Sequence, residues 1–150
     1  MRWAGAAHRW LLTVFIVGVA VQFFLAGLGV FRVDHVATKT GTALTEDRFD
    51  NFFDPHVALG NILFLVAILV FLAALLARVG RPRIFAMLAL PVLVFLQSIF
   101  ANTGPSWFRA LHVLNAFVIA GLAGAQTGLA WQEKRAASAG GAGVPADAAG

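Results

Sequence analysis

Residues 57–77 read VALGNILFLVAILVFLAALLA and carry no charged side chain. A run of this length lets one α-helix cross the hydrocarbon core of a bilayer, which needs about 20 apolar residues. Three further apolar runs lie at residues 11–31, 84–101 and 107–130. The chain is 60% hydrophobic, with a mean hydropathy of +0.83, whereas soluble domains are about 45–50% apolar. The sequence therefore predicts an all-α integral membrane protein.

Residues that start and stop helices divide the chain. Asp54-Pro55 is typical of an N-cap followed by proline at the first helical position. Short polar links predict that consecutive helices are antiparallel neighbours, with one long polar loop from residue 32 to residue 53. The prediction is an up-down four-helix bundle within residues 1–132, its helices at about 11–31, 55–78, 84–101 and 107–131.

The two ends of the chain are predicted to be cytoplasmic. In the four-span arrangement, seven of the eleven Lys and Arg residues fall on the side of the termini, and short cytoplasmic loops carry such an excess. Nine Arg against two Lys favours a bacterium of high G+C content, so the predicted location is the bacterial inner membrane. Residues 133–150, rich in Ala and Gly, predict a disordered cytoplasmic tail.

The first apolar run also resembles a secretory signal, because Arg2 precedes it. Its apolar stretch of about 20 residues exceeds the 7–15 of a signal peptide, and no clear A-x-A cleavage site follows. We therefore predict a retained helix.

On the fourth helix, Ala120, Gly124 and Gly128 form a stripe of small residues that is expected to pack within the bundle, with self-association as the second interpretation.

Composition excludes several functions. The chain has no cysteine, so thiolate ligation, iron–sulfur clusters and thiol catalysis are excluded. Its pI near 11.2 arises from arginines beside apolar spans, which indicates membrane topology and not nucleic-acid binding. No catalytic triad, metalloprotease signature or phosphate-binding glycine loop occurs, so the sequence favours a protein without enzymatic activity.

The expected partners are the lipid bilayer and a redox partner or larger membrane complex.

His56 and His112 are the residues that point to a function. They lie near the same end of the second and fourth helices, which are parallel and diagonal in an up-down bundle. Diagonal axes are about 12–14 Å apart when neighbouring helices are about 8–10 Å apart, and this gap admits a porphyrin with one imidazole on each face. Neutral imidazole is a common axial ligand of haem iron. The pair predicts a b-type haem near the outer leaflet.

Other polar residues lie in the same half of the predicted bundle. Gln22 and Gln97 fall on the remaining two helices, where they are placed to hydrogen-bond a ligand or each other. Arg109, three residues before His112, shares its helical face and is a candidate partner for a haem propionate. Asn61 and Asn115 are candidates to hold the second nitrogen of each ligating histidine.

A weak internal repeat links these residues. Residues 22–26, QFFLA, resemble residues 97–101, QSIFA. The helix that follows each segment carries a His-Val pair, which begins at His56 in one case and at His112 in the other. This pattern is compatible with a duplicated helical hairpin, although short apolar segments also match by chance. Two interpretations without haem remain open. One is a cofactor-free accessory subunit in which Gln and Asn bond helices together, and the other is a quinone or lipid-ligand site.

Two segments carry a resemblance to a known family. Residues 97–121, with QSIFA, Gly104-Pro105, Trp107 and ALHVLNA, resemble the third and fourth helices of one half of haem A synthase, and residues 22–29 with the His56 helix are similar to the first two. The resemblance implies haem-ligating histidines at His56 and His112. Because only one half is present and the loop cysteines are absent, it does not imply haem A synthesis. The overall pattern is also similar to an uncharacterised bacterial family of small four-helix membrane proteins.

Overall fold

A computed structural model of the chain describes residues 2–41 and 43–141. Helices α1 and α2 span Arg2–His35 and Glu46–Ala77, and a π-helical segment, Val36–Thr40, extends α1. Helices α3 and α4 span Arg81–Asn102 and Ser106–Gly141. All four are long and apolar enough to cross a membrane. The prediction of an all-α, four-helix membrane protein is confirmed.

The helices form a four-cornered bundle. Helix α1 packs against α2 and α4, and α3 packs against the same two helices, so α2 and α4 lie on one diagonal. Between them, Leu12, Phe15, Val70, Met87 and Leu90 are fully buried. Large apolar side chains also cover the outer surface, including Phe24, Phe31, Phe85, Phe95 and Phe117. Such an apolar exterior matches a lipid environment, and the chain is a multi-pass membrane protein.

Helix α2 begins at Glu46, nine residues before the predicted start at Pro55. Glu46 and Asp47 stand in its first turn, where carboxylates interact favourably with the helix dipole. Phe53 packs against Gly29 of α1, where a Cβ atom would lie only 2.6 Å from the ring. This contact holds the two extended helix ends together. The predicted long loop is therefore mostly helical, over residues 32–40 and 46–53.

Helix α4 continues past the predicted boundary at residue 131. Trp131 anchors its C-terminal half, since the indole Nε1 donates to Thr13 Oγ1 at 3.0 Å and the ring meets Trp10 edge to face at 5.3 Å. Glu133, two residues later, pairs with Arg83 of α3. Residues 133–141 are thus helical where disorder was expected, and the rest of the predicted tail, 142–150, lies outside the described residues.

The stripe of small residues on α4 does not pack as expected. A Cβ atom added at Gly124 or Gly128 would meet no atom of the described chain within 4 Å. The helix contact is instead made by Ala123 and Ala130, which are 0% and 2% exposed. Because these alanines occupy the buried face, the glycines are turned outward, and the prediction that the stripe packs within the bundle is wrong at both.

Candidate functional site

The structure brings His56 and His112 together at one end of the bundle. Their ring centroids are 6.1 Å apart and the ring planes make an angle of 58°. His56 lies about three turns into α2 and His112 about two turns into α4. The predicted helix start at Pro55 would put His56 in the first turn of α2. Because α2 begins earlier, at Glu46, His56 does not lie in the first turn. Both rings are half-buried and line the same cavity.

Each imidazole is held by a backbone carbonyl of the neighbouring helix. His56 Nδ1 lies 3.2 Å from the carbonyl oxygen of Gln22, and His112 Nδ1 lies 3.0 Å from that of Gln97. A carbonyl oxygen only accepts hydrogen bonds, so Nδ1 must carry the proton in both rings. In a neutral imidazole the other nitrogen, Nε2, then has a free lone pair. Both histidines are prepared to act as ligands through Nε2.

The glutamine side chains return a second bond to the same helices. Gln22 Nε2 donates to the carbonyl oxygen of His56 at 2.9 Å, and Gln97 Nε2 donates to that of His112 at 2.8 Å. Each hairpin, α1–α2 and α3–α4, thus contains the same reciprocal unit, which we call a Gln–His pair. The weak repeat in the sequence corresponds to a repeated arrangement of hydrogen bonds.

The two Gln–His pairs differ at the glutamine Oε1 atom. Asn115, which is 7% exposed, donates through Nδ2 both to the Leu93 carbonyl, at 2.8 Å, and to Gln97 Oε1. In contrast, Gln22 Oε1 is buried without a hydrogen-bond partner among the described residues. The position equivalent to Asn115, three residues after His56, is Leu59. Only the α3–α4 pair is therefore braced by a third side chain.

A cavity of about 290 Å³ lies between the two pairs and receives side chains from all four helices. Phe15, Leu63 and Ile119 line its apolar part. Val57 and Val113 also line it and are 56% and 57% exposed, so the cavity reaches the surface of the bundle. The cavity thus combines an apolar wall with the two imidazoles and several amide side chains.

The other predicted site residues are placed differently. The prediction that Asn61 and Asn115 hold the second histidine nitrogens is wrong, because the Gln22 and Gln97 carbonyls occupy that role. Asn115 braces Gln97, and Asn61 lines the cavity. Arg109 lies outside the cavity lining, is exposed, and donates through Nε to the Gly104 carbonyl at 3.3 Å. The turn between α3 and α4 therefore engages the side chain that was expected to meet a propionate.

Two polar cavity residues were missed by the sequence analysis. Ser98 and Asn102 line the cavity from α3, and Asn102 Nδ2 donates to the Ser98 carbonyl at 2.8 Å. Their spacing of four residues, directly after Gln97, was the available signal, because residues four apart share a helical face. Within the described residues, no group of three or more His, Cys, Asp or Glu side chains gathers as a metal site. The histidine pair therefore provides two potential metal-ligating side chains, with no third one beside them among the described residues.

The fold and this site define a class: a small multi-pass membrane protein with a pair of histidines facing one cavity inside a four-helix bundle. The model of a family of unknown function, DUF6220, matches residues 41–104. That segment covers α2 and α3, and so includes His56 and Gln97. No curated protein and no solved structure shows a significant match to the chain.

Proposed function

We propose that this protein is a small b-type haem protein in which His56 and His112 ligate one haem, and that it transfers electrons at the membrane. The observation that carries the proposal is the pair of imidazoles, 6.1 Å apart, with each Nδ1 bound to a backbone carbonyl. Histidine ligands usually donate their other N–H to a carbonyl or carboxylate, which fixes the tautomer and orients the ring.

The separation of the two rings suits a shared metal ion. Imidazole nitrogen binds a transition metal such as zinc at about 2.0–2.1 Å, so two rings on opposite sides of one ion have centroids roughly 6 Å apart. The observed 6.1 Å agrees with this value. The two side chains come from the diagonal helices α2 and α4, so they approach the cavity from opposite sides.

The remaining cavity suits an apolar macrocycle. Its lining is dominated by aliphatic and aromatic side chains, and it reaches the surface beside Val57 and Val113. The edge of a ligand larger than the cavity can therefore emerge between helices. The sequence resemblance to one half of haem A synthase, in residues 97–121 and in residues 22–29 with the His56 helix, adds support, because it implies ligating histidines at His112 and His56.

The proposed chemistry follows from the ligand set. His56 and His112 would hold the haem, and the bound haem would supply reversible one-electron transfer. The residues of this chain orient the imidazoles and surround the ligand with apolar side chains. An electron-transfer partner, either a membrane carrier or a protein at the histidine end, is part of the proposal.

A second function, binding of a quinol or a similar lipid-soluble ligand, is favoured by one observation. Gln22 Oε1 is buried at the cavity without a partner among the described residues and can accept a hydrogen bond. A quinol hydroxyl would donate such a bond, and the opening toward lipid gives it a route. The Gln–His pairs would then act as interhelical bonds, as they also would in a cofactor-free accessory subunit.

The optical spectrum of the purified protein tests the proposal. The protein is expressed with added haem, purified in detergent, and compared with His56→Ala, His112→Ala and the matched control His35→Ala, which alters an exposed histidine outside the cavity lining. Wild type and His35→Ala should show a Soret band and the sharp reduced α and β bands of low-spin haem, and both cavity variants should lose this low-spin spectrum. Circular dichroism establishes that each variant is folded.

A folded wild type that stays colourless with adequate haem would overturn the haem proposal. Tritiated or fluorescent quinol binding to that colourless protein would then favour the second function. Absence of both would favour the accessory subunit. A haem spectrum that survives in the double variant His56→Ala/His112→Ala would show that haem binds elsewhere.

A further inference from the structure

A second cavity lies at the opposite end of the bundle from the histidine pair. It has a volume of about 290 Å³ and is lined by the start of α1, the turn between α2 and α3, and the C-terminal half of α4. Its ionisable lining residues are His8, Arg9, Arg78, Arg83 and Glu133. We call it the arginine cavity. Its composition contrasts with the apolar cavity between the Gln–His pairs.

The arginine cavity carries an excess of positive charge. Three guanidinium groups line it, against the single carboxylate of Glu133. That carboxylate is already paired with Arg83, whose Nε also donates to Gln126 Oε1 at 3.3 Å. Arg9 and Arg78 therefore have no carboxylate within the cavity lining to neutralise them. The cavity attracts an anion.

Buried donors in this cavity lack partners. His8 is only 2% exposed, and neither ring nitrogen makes a hydrogen bond of normal geometry within the described residues, although the ring lies near the Val70 carbonyl. Arg9 Nε and Arg83 Nη2 are likewise buried without partners among these residues. Leaving buried polar groups unpaired is costly. A group with several strong acceptor oxygens would satisfy the two guanidinium donors, Arg9 Nε and Arg83 Nη2, together.

The direction of α3 adds to the positive potential. This helix begins at Arg81, directly after Gly80, which lines the cavity. Helix N-termini carry partial positive charge and unpaired N–H groups, and they bind anions. Residues 81–84 include no Asp or Glu to offset this charge. The helix end and the arginines thus favour the same kind of ligand.

We propose that the arginine cavity binds a phosphate group, supplied by the headgroup of an anionic phospholipid. Phosphate oxygens accept strong, charge-assisted bonds from guanidinium groups. The lipid source is favoured by Trp131, whose ring lies near Arg9 and Lys134, at 5.9 Å and 5.0 Å, since Trp marks the headgroup level of membrane proteins. This inference is independent of haem binding at the other end.

Titration of the purified full chain with defined lipids, followed by native mass spectrometry, tests the proposal. The probes are phosphatidylglycerol, phosphatidylcholine and inorganic phosphate. The test variants are Arg9→Gln and Arg78→Gln, and the matched control is Arg81→Gln, which alters an exposed arginine outside the lining. One phosphatidylglycerol should bind per chain in preference to phosphatidylcholine. Each test variant should weaken this binding about fivefold, and the control less than about twofold.

The outcomes separate the sources of the phosphate. If the protein prefers phosphatidylglycerol and inorganic phosphate does not compete, the result supports a lipid headgroup as the source of the phosphate. If inorganic phosphate binds and the test variants weaken its binding, the result supports the same phosphate site with a free ligand. Equal retention of the two lipids without phosphate binding would overturn the proposal. Equal loss in Arg81→Gln would also overturn it, because general surface charge would then explain the binding. Arg9→Gln removes a contact with Trp131 and could prevent folding. In that case Arg78→Gln, which alters an exposed residue of the turn, still tests the proposal.

Discussion

The two Gln–His pairs hold their imidazoles in the same way but are not equally supported. In both pairs the histidine Nδ1 meets a carbonyl of the neighbouring helix, and the glutamine Nε2 returns a bond. In the α3–α4 pair, Asn115 additionally bonds Gln97 Oε1, whereas Gln22 Oε1 has no partner among the described residues. The two imidazoles are therefore held alike, and only the α3–α4 pair has the additional bond from Asn115.

This difference separates what orients a ligand from what stabilises its surroundings. The bonds that fix each tautomer run to the backbone, so substitution of either glutamine leaves them available. Asn115 acts on the glutamine side chain and reaches the histidine only through it. We therefore expect substitutions at the histidines to affect ligand binding most, and substitutions at the amides to affect stability.

The largest effect is expected from the histidines themselves. His56→Ala and His112→Ala should each abolish the low-spin haem spectrum, because one axial ligand is lost. Since His112 belongs to the braced pair, His56→Ala should retain more five-coordinate haem than His112→Ala. Reduced-minus-oxidised spectra with haem content per chain measure this order. The reverse order, in folded variants, would contradict the role assigned to the bracing.

Gln97→Leu should destabilise the bundle more than Gln22→Leu. The first removes the bond to His112 and the acceptor of Asn115, whereas the second removes one bond and an unpaired buried oxygen. At about 0.5–1.5 kcal/mol per hydrogen bond, we expect a loss of about 1–3 kcal/mol for Gln97→Leu and less than about 1 kcal/mol for Gln22→Leu. Unfolding in mixed micelles with rising denaturing detergent compares them. Equal losses would argue against the asymmetry.

Asn115→Ala should make the α3–α4 pair resemble the α1–α2 pair. Gln97 Oε1 then loses its donor, and the expected loss of stability is about 1–2 kcal/mol. A double-mutant cycle with Gln97→Leu isolates the interaction between the two side chains. We expect a coupling of about 0.6 kcal/mol or more, typical of bonds between membrane helices. Additive effects would show that the Leu93 carbonyl, the other partner of Asn115, accounts for its contribution.

The smallest effect is expected from introducing the missing brace. Leu59 occupies the position after His56 that Asn115 occupies after His112, and it is only partly buried. Leu59→Asn should interact with Gln22 Oε1, although the loss of the leucine offsets part of the gain. Comparison of this substitution in the Gln22 and Gln22→Leu backgrounds should give a favourable coupling of about 0.5 kcal/mol. No coupling would mean that the hairpins are not equivalent at this position.

The sequence was sufficient to predict the four spans but not all their ends. Apolar runs locate the membrane segments, and residues 57–77 were unambiguous. Asp54-Pro55 predicts a helix start, yet Pro55 lies inside α2. Its missing N–H leaves the Asn51 carbonyl without a helical partner, and Asn51 is exposed, so water can bind that oxygen. The contact between Phe53 and Gly29 that extends the hairpin has no local sequence signal.

The meeting of His56 and His112 followed from matched depth on parallel, diagonal helices. Their hydrogen-bond partners did not follow, because the rotation of each helix about its axis decides which groups face which, and short apolar repeats do not fix that rotation. Arg109 is an example. Its spacing to His112 predicts a shared helical face and a contact with a haem propionate, but its guanidinium Nε donates to the nearby Gly104 carbonyl instead.

The most direct test of the paired ligand site is nitrogen NMR of the protein labelled with ¹⁵N-histidine. The chain has four histidines, so variants assign every signal. In the ligand-free protein, His56 and His112 should be Nδ1–H tautomers with unprotonated Nε2. One equivalent of haemin should shift or broaden these two sets of signals and leave those of His8 and His35 unchanged. Nε2–H tautomers at the pair, or signals that haemin does not affect, would contradict the account.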